Sequence, residues 1–398
     1  MKIKVGVIFG GETVEHEVSI ISAIQAMKNL REDKYEIVPI YISKDRIWYT
    51  GAPLKEIEFF KDFENNKKYA KKVTLYKNEN GFFLQKVNGF FRSDVTDLDV
   101  ILPIVHGNNV EDGSLAGYLD SVGIPYVCSG VLGSALGQDK VVMKQVMKSC
   151  NLPVVDYVWF FDTEYLEKKE EILNKIKKMG YPVVVKPATL GSSVGITLVH
   201  NDKEIDKAIE EAIKYDKKII VEEAIENLVE VNASVLGNYE YQKVSPLEEV
   251  MGLDEILSYK DKYLSNSKTK GNTGSKGMAS TSRIVPARIS KELTEQIQNT
   301  SKEVFKALNL SGVCRIDYLI NSKTQKYYVN EPNTIPGSLS FYLWKEADMK
   351  YSELLDEMIS IAIKEYKGKS KKVKSFETNI LEGFSGSKGT KGLKGLKN

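Results

Sequence analysis

Apolar positions along this chain fall into short β-branched runs separated by stretches of helical period. Residues 3–9 form a Val/Ile run that stops at Gly10-Gly11, and 15–30 repeat apolar side chains at helical spacing, so the chain opens as strand, glycine turn and helix. Residues 35–43 and 100–105 read as further strands of the same unit. Between them, 48–99 is polar and aromatic with alternating segments at 72–76 and 81–87, the pattern of hairpins inserted into an α/β domain. A helix at 113–121 and an end near 124–127 close this part. A second block alternates helix 140–149, strand 155–160, helix 164–179, strand 182–187, loop 188–195, strand 196–199, helix 203–213 and strand 218–222, a compact α+β unit around a glycine-rich loop. A third carries strand 230–235, the polar stretch 258–282, helix 291–308, strands 313–320 and 326–330, and a last helix at 351–365.

This pattern predicts a multidomain α/β and α+β chain. Its expected domains are 1–127 with the hairpin insertion at 48–99, then 128–222, then 223–366. Residues 367–398 differ in kind. They are rich in Lys, Gly and Ser, with the near-repeat Ser387-Lys388-Gly389, Thr390-Lys391-Gly392, Leu393-Lys394-Gly395, and carry too little apolar surface to offset chain entropy, so a flexible tail is expected.

The length of 398 residues requires more than one core, and 42% apolar with 28% charged residues is the balance of a globular enzyme. The formal net charge is only +2, from 56 basic and 54 acidic residues, so no global field attracts nucleic acid. Three cysteines, Cys128, Cys150 and Cys314, stand without metal-ligand spacing and indicate neither a disulfide framework nor a zinc site. No apolar run of about 18 residues could span a bilayer, and the chain enters its first strand without an export signal, which predicts a cytoplasmic location.

Three constellations carry chemistry. In a strand, residues two apart share a face, so Arg315 and Asp317 point one way, as do Glu331 and Asn333; if the strands pair, two acids, an amide and a guanidinium converge. Such hard oxygen donors suit Mg²⁺ shared with phosphates, and they suit an ordinary ion-pair ladder equally. The run Pro182–Pro187 delivers Lys186 at the end of a buried strand, ahead of Gly191-Ser192-Ser193-Val194-Gly195. Small residues there can cradle phosphate oxygens or merely turn a hairpin, and neither the P-loop nor the dinucleotide-binding glycine pattern is present. Third, Glu222-Glu223-Ala224-Ile225 with Glu230 places acids around a hydrophobic linker, where adenine and ribose could be held or where the acids are simply solvated.

The order and spacing of these elements resemble the ATP-grasp superfamily, and more closely the D-alanine-D-alanine ligases, over roughly residues 3–365. The segment Gly10-Gly11-Glu12-Thr13-Val14-Glu15-His16-Glu17-Val18-Ser19 is similar to the family's first substrate loop, and His106-Gly107 with Glu111-Asp112-Gly113 to its second. The resemblance implies an ATP-grasp fold with an N-terminal Rossmann-like domain. It implies an enzyme that uses ATP and two Mg²⁺ ions, with Mn²⁺ as an alternative, to join amino-acid substrates through an acyl phosphate in cell-wall precursor synthesis, and a homodimer.

Carried onto this sequence, the resemblance gives Lys140 and Lys186 to the ATP phosphates, Ser192 and Ser193 to a closing loop, and Glu223, the Ile225 backbone and Glu230 to adenosine. Asp317, Glu331 and Asn333 match the magnesium ligands. Arg315 and the Gly337 backbone match the groups that stabilise the developing oxyanion, and Glu15 the acid that binds the first substrate's ammonium. Lys262 and Tyr263 match a mobile-loop pair, the tyrosine marking an amino acid as second substrate. His16 and His106, in the matched loops, are expected to contact substrate or close the site, while His200 is expected at the surface and Cys314 in the core. Three positions depart from the pattern. Val110 replaces a loop glycine, and Pro332 stands between the metal ligands. Tyr342 occupies the place of the serine that binds the second substrate's carboxylate. Either Ser340 or the Tyr342 hydroxyl replaces that serine, or the amine is different, such as D-serine; a non-catalytic nucleotide-binding protein is the alternative from another class.

Overall fold

The computed structural model describes residues 2–87, 93–191, 194–251 and 283–373. The chain divides into two compact units, 1–363 and 364–398, and the three sheets all lie in the first.

The opening run forms β1 (Ile3–Gly10), and α1 (His16–Asn29) returns the chain to β2 (Tyr35–Ile42), parallel to β1. The insertion forms antiparallel hairpins, as expected, and they extend the sheet. Its strands β3 (Trp48–Thr50), β4 (Lys71–Asn78), β5 (Gly81–Lys86) and β6 (Asp94–Leu98) add antiparallel to the β2 edge, with the short helices α2 (Ile57–Lys61) and α3 (Phe63–Asn66) between β3 and β4. β7 (Val100–Val105) closes the other edge, giving the order β6-β5-β4-β3-β2-β1-β7. β1 and β7 pair in parallel and are apolar almost throughout because both faces of that part of the sheet are covered. Beyond β7 the backbone turns at Gly107, φ +85°, where a Cβ would stand 2.2 Å from the Thr13 Oγ1; only glycine brings the two substrate-loop segments so close.

α4 (Ser114–Val122) and α5 (Val131–Gln138) lead to α6 (Lys140–Ser149). Asp139 caps α6, its carboxylate accepting from the Val141 and Val142 amides, so that Lys140 begins the helix. The central sheet, β10-β9-β11-β8, is antiparallel and comprises β8 (Tyr157–Phe161), β9 (Val183–Pro187), β10 (Thr197–Val199) and β11 (Lys218–Glu223). α7 (Asp162–Met179) and α8 (Ile205–Ile213) pack against it; α8 buries Ile205, Ala208, Ile209 and Ala212 along one stripe.

The third sheet is built on β12 (Leu228–Gly237), flanked by β13 (Gln242–Val244) and β14 (Glu248–Val250), with β15 (Arg283–Ile284) beyond β14. On its other side lie β16 (Gly312–Asn321) and β17 (Tyr327–Asn333). Helix Lys291–Ala307, capped by Ser290, buries Leu293, Ile297, Val304 and Phe305 in the core shared with β12 and β16. β17 runs three residues past the predicted end at 330 and so includes Glu331, Pro332 and Asn333. Proline is tolerated there because β17 is an edge strand whose outer side needs no donor. Among the described residues, no helix is long and apolar enough to cross a membrane.

Candidate active site

β16 and β17 pair antiparallel with Asp317 opposite Glu331 and Arg315 opposite Asn333, so the four residues predicted to converge form one cross-strand ladder. Arg315 grips Asp317 with two parallel bonds, Nε to Oδ1 at 2.7 Å and Nη2 to Oδ2 at 2.8 Å, and Asn333 donates to the same Oδ2 at 3.1 Å. Asp317 holds the Arg315 guanidinium firmly protonated although burial opposes it. Glu331 receives a cation from elsewhere: the Lys140 Nζ, at the start of α6, lies 3.1 Å from its Oε2 and also donates to the Leu190 carbonyl at 2.9 Å. Each carboxylate of the ladder is thus matched by one positive side chain.

Arg315, Glu331 and Asn333 of the ladder form one wall of a cavity of about 70 Å³, to which Glu15, His106, Glu111, Lys140, Gly191 and Gly337 also contribute; Asp317 does not border it. Glu15 precedes α1, and its Oε2 would stand 3.3 Å from a Cβ placed at either Gly107 or Gly191, so it packs against both glycine loops. His106 is buried at the end of β7. Its Nε2 has no hydrogen-bond partner among the described residues, and burial lowers its pKa so that the ring is neutral. His16 does not reach the cavity. Its Nδ1 bonds the Gly11 carbonyl at 2.6 Å and its Nε2 the Tyr41 hydroxyl at 2.9 Å, so it shapes the first loop without bordering the cavity. His200 is exposed and Cys314 is buried, as their positions predicted.

Glu111 ties the second loop to the segment after β17. Its Oε1 accepts from the Ile335 amide at 3.0 Å and the Thr334 hydroxyl at 3.2 Å, and its Oε2 from the Gly107 amide at 2.9 Å. Burial, reinforced by the Glu15 charge, raises its pKa to about 7. Gly337 borders the cavity and opens a tight turn in which Ser338, Leu339 and Ser340 all have φ near +50°, a run of left-handed residues held by the bond of the Ser338 amide to the Ser22 Oγ and of its hydroxyl to Gln25. Ser340 is fully buried and its Oγ has no partner among the described residues. Tyr342 lies beneath Arg283, whose guanidinium sits 3.7 Å from the ring centroid and 3.1 Å from Glu248 Oε1. Neither Ser340 nor Tyr342 lines the cavity.

Lys186, at the end of β9, is buried and donates to Glu222 Oε2 at 2.7 Å and Asn330 Oδ1 at 3.4 Å. Burial alone would raise the Glu222 pKa, but Lys144 and Lys186 draw it down to about 2. Its neighbour Glu223 faces the opposite side of β11 and is exposed; Ile225 and Glu230 are half-buried, and none of these three borders the cavity. Ser192, Ser193, Lys262, Tyr263 and the tail beyond residue 373 lie outside the described residues. Sequence reasoning passed over Lys144 and Arg283, and named Glu111 and Glu222 within motifs without giving either a role of its own. One signal was available for Lys144, since it follows Lys140 by four residues on a helix and so shares its face.

The family model for the D-ala D-ala ligase N-terminus matches residues 4–129, and that for the D-ala D-ala ligase C-terminus matches 146–360. A D-alanine–D-alanine ligase of Thermosipho melanesiensis is 38% identical over 382 residues, covering 96% of this chain and 98% of that protein. Among solved structures, the VanG D-Ala:D-Ser ligase from Enterococcus faecalis aligns with a TM-score of 0.76 at 30% identity over 91% of this chain and 100% of that one. The D-alanine–D-alanine ligase from Bacillus anthracis complexed with ATP aligns at 0.64 and 25% identity, over 92% and 99%. Together with the paired ladder on β16 and β17, these matches establish that the chain belongs to the D-alanine–D-alanine ligase family, ATP-dependent ligases of the ATP-grasp fold.

Proposed function

We propose that this protein condenses two D-alanine molecules into D-alanyl-D-alanine at the expense of ATP, for peptidoglycan precursors, with the β16–β17 ladder as its reacting centre. The observation that carries the reading is the convergence of Arg315, Glu331 and Asn333 with Lys140 and Glu15 around one cavity, with Asp317 paired to Arg315 in the same ladder. Glu15 holds the ammonium of the first D-alanine. The Arg315 guanidinium and the Gly337 amide receive its carboxylate and the negative charge that builds as the carboxylate attacks the γ-phosphate. Lys140 and Lys186 hold the phosphates. The amine of the second substrate, once deprotonated, attacks the acyl phosphate carbonyl and expels inorganic phosphate, and water must be excluded meanwhile. Ser192, Ser193, Lys262 and Tyr263 belong to the loops that perform this exclusion, and Glu223, the Ile225 backbone and Glu230 to the adenosine side.

The donor set fits Mg²⁺: two carboxylates and an amide oxygen in one register, their charges met by Arg315 and Lys140. Among the described residues no three His, Cys, Asp or Glu side chains cluster for a metal, so phosphate oxygens would have to complete the coordination. A divalent ion held by these groups would supply positive charge to the phosphates, while Arg315 and Lys140 face the substrate side of the ladder. A homodimer in the cytoplasm completes the proposal.

One observation favours a second reading of the amine. Tyr342 stands where the family has a serine, and it lies under Arg283 rather than open to the cavity. D-Serine is then the substrate to compare. Purified protein with ATP, Mg²⁺ and D-alanine should yield ADP and D-alanyl-D-alanine by mass spectrometry. Preferential D-alanyl-D-serine from an equimolar mixture would select the second reading, and no ADP formation with any pair of D-amino acids would refute both.

A further inference from the structure

Lys144 has no exposure at all, an unusual position for a charged side chain. Its Nζ lies 3.3 Å from Glu222 Oε1 and 3.4 Å from the Asn330 carbonyl oxygen. Lys186 takes the other oxygen of the same carboxylate at 2.7 Å. Two lysines therefore share one acid, and Asn330, the remaining contact of each, offers only neutral oxygens. Burial pulls the Lys144 pKa down while Glu222 holds it up, and the pKa of Lys186 is raised against its own burial. Glu331 also acts on both lysines, but Lys140 pairs with it at 3.1 Å and takes up its charge. Glu230, the further acid felt by Lys186, is more exposed and correspondingly screened.

The cluster of Lys144, Lys186 and Glu222 thus keeps one positive charge in surplus where water is excluded. Packing does not require this. Without Lys144, Lys186 and Glu222 would form a neutral pair, and an apolar side chain of similar length would be easier to bury. A surplus charge kept at that disadvantage suits an anion that binds and leaves.

We propose that Lys144 is a positioning residue of the nucleotide-phosphate site: by occupying one oxygen of Glu222 it keeps Lys186 from being neutralised and reserves one positive charge for the phosphates. The inference rests on the ATP reading above. It separates stability from affinity, because losing Lys144 leaves a balanced pair behind and removes only the attraction for the anion.

The test is calorimetric binding of ATP with Mg²⁺, without amino acids, to the full chain and to Lys144→Met, Glu222→Gln and the double variant, with thermal midpoints of the nucleotide-free proteins. Lys144→Gln, which stays polar, serves as the second probe if the methionine variant does not fold. The midpoint of Lys144→Met should equal or exceed that of the parent, while its ATP dissociation constant rises at least tenfold, or about 1.4 kcal/mol. That loss should fall below threefold when Glu222→Gln is already present, because Lys144 acts through that carboxylate. Parent-like ATP affinity in both Lys144 variants, or an undiminished loss in the Glu222→Gln background, overturns the inference, as does a lowered midpoint with unchanged affinity of the folded protein. Absence of ATP binding by the parent chain would remove the nucleotide reading and this inference with it, a result distinguishable from unaffected variants.

Discussion

Replacing Glu111 by glutamine exchanges an ionisable tie between two substrate loops for a neutral one of the same shape. In the folded chain the carboxyl ionises at about 7, against an ordinary 4.5, because it is buried and faces Glu15. The folded state therefore favours the protonated form. The stability contributed is fully present below about pH 4.5 and is lost as pH rises through about 7. Linkage between these two values gives a loss of about 2.5 kcal/mol between about pH 5 and about pH 8. The glutamine variant carries no such loss. Its amide nitrogen, however, faces either the Gly107 amide or the Ile335 amide and Thr334 hydroxyl, all of which donate to Glu111, and leaving such a bond unmade costs about 1–3 kcal/mol. Glu111→Gln should thus be less stable than the parent at low pH and approach or exceed it at high pH. Urea unfolding of both proteins without nucleotide, in steps of pH, measures the difference. A difference that stays constant within about 0.5 kcal/mol across the range would refute the raised pKa and the burial argument behind it.

Asp317→Asn keeps the shape of the ladder but removes the charge that pairs with Arg315 and would be offered to Mg²⁺, so turnover should fall by about 10²–10³-fold, and activity within tenfold of the parent in a coupled ADP assay would contradict the assignment. Ser290→Ala deletes the bond to the Leu293 amide that caps helix Lys291–Ala307, and should cost about 1 kcal/mol in chemical unfolding while leaving kcat/KM within twofold.

Where one local pattern determines an element, the sequence was readable. Val100–Val105 is continuously apolar because both faces are covered, and Lys140–Ser149 starts where Asp139 caps it. Helix Val131–Gln138 was not foreseen, because Gly133, Ser134 and Gly137 look like loop residues. The structure explains Gly133: a Cβ there would stand 2.6 Å from the Asn309 carbonyl, so glycine serves close approach of the chain and not a turn. The ladder on β16 and β17 was legible through its period of two, yet its meaning was not, since an ion-pair ladder has the same pattern. Adjacent acids defeated the reading for another reason. Glu222 and Glu223 lie on opposite faces of β11, and nothing local says which one meets the lysines. The tie from Glu111 to Ile335 joins residues 224 positions apart, a relation no local period encodes.

The fate of the first substrate's carboxylate oxygen reports directly on acyl phosphate formation. With D-alanine labelled by ¹⁸O in its carboxyl group, attack on the γ-phosphate carries one labelled oxygen into the released inorganic phosphate, and ADP and phosphate form in step with dipeptide. Mass spectrometry of the phosphate should show one ¹⁸O per turnover. Unlabelled phosphate, or AMP and pyrophosphate in place of ADP and phosphate, would contradict an acyl phosphate formed at Arg315, Asp317, Glu331 and Asn333.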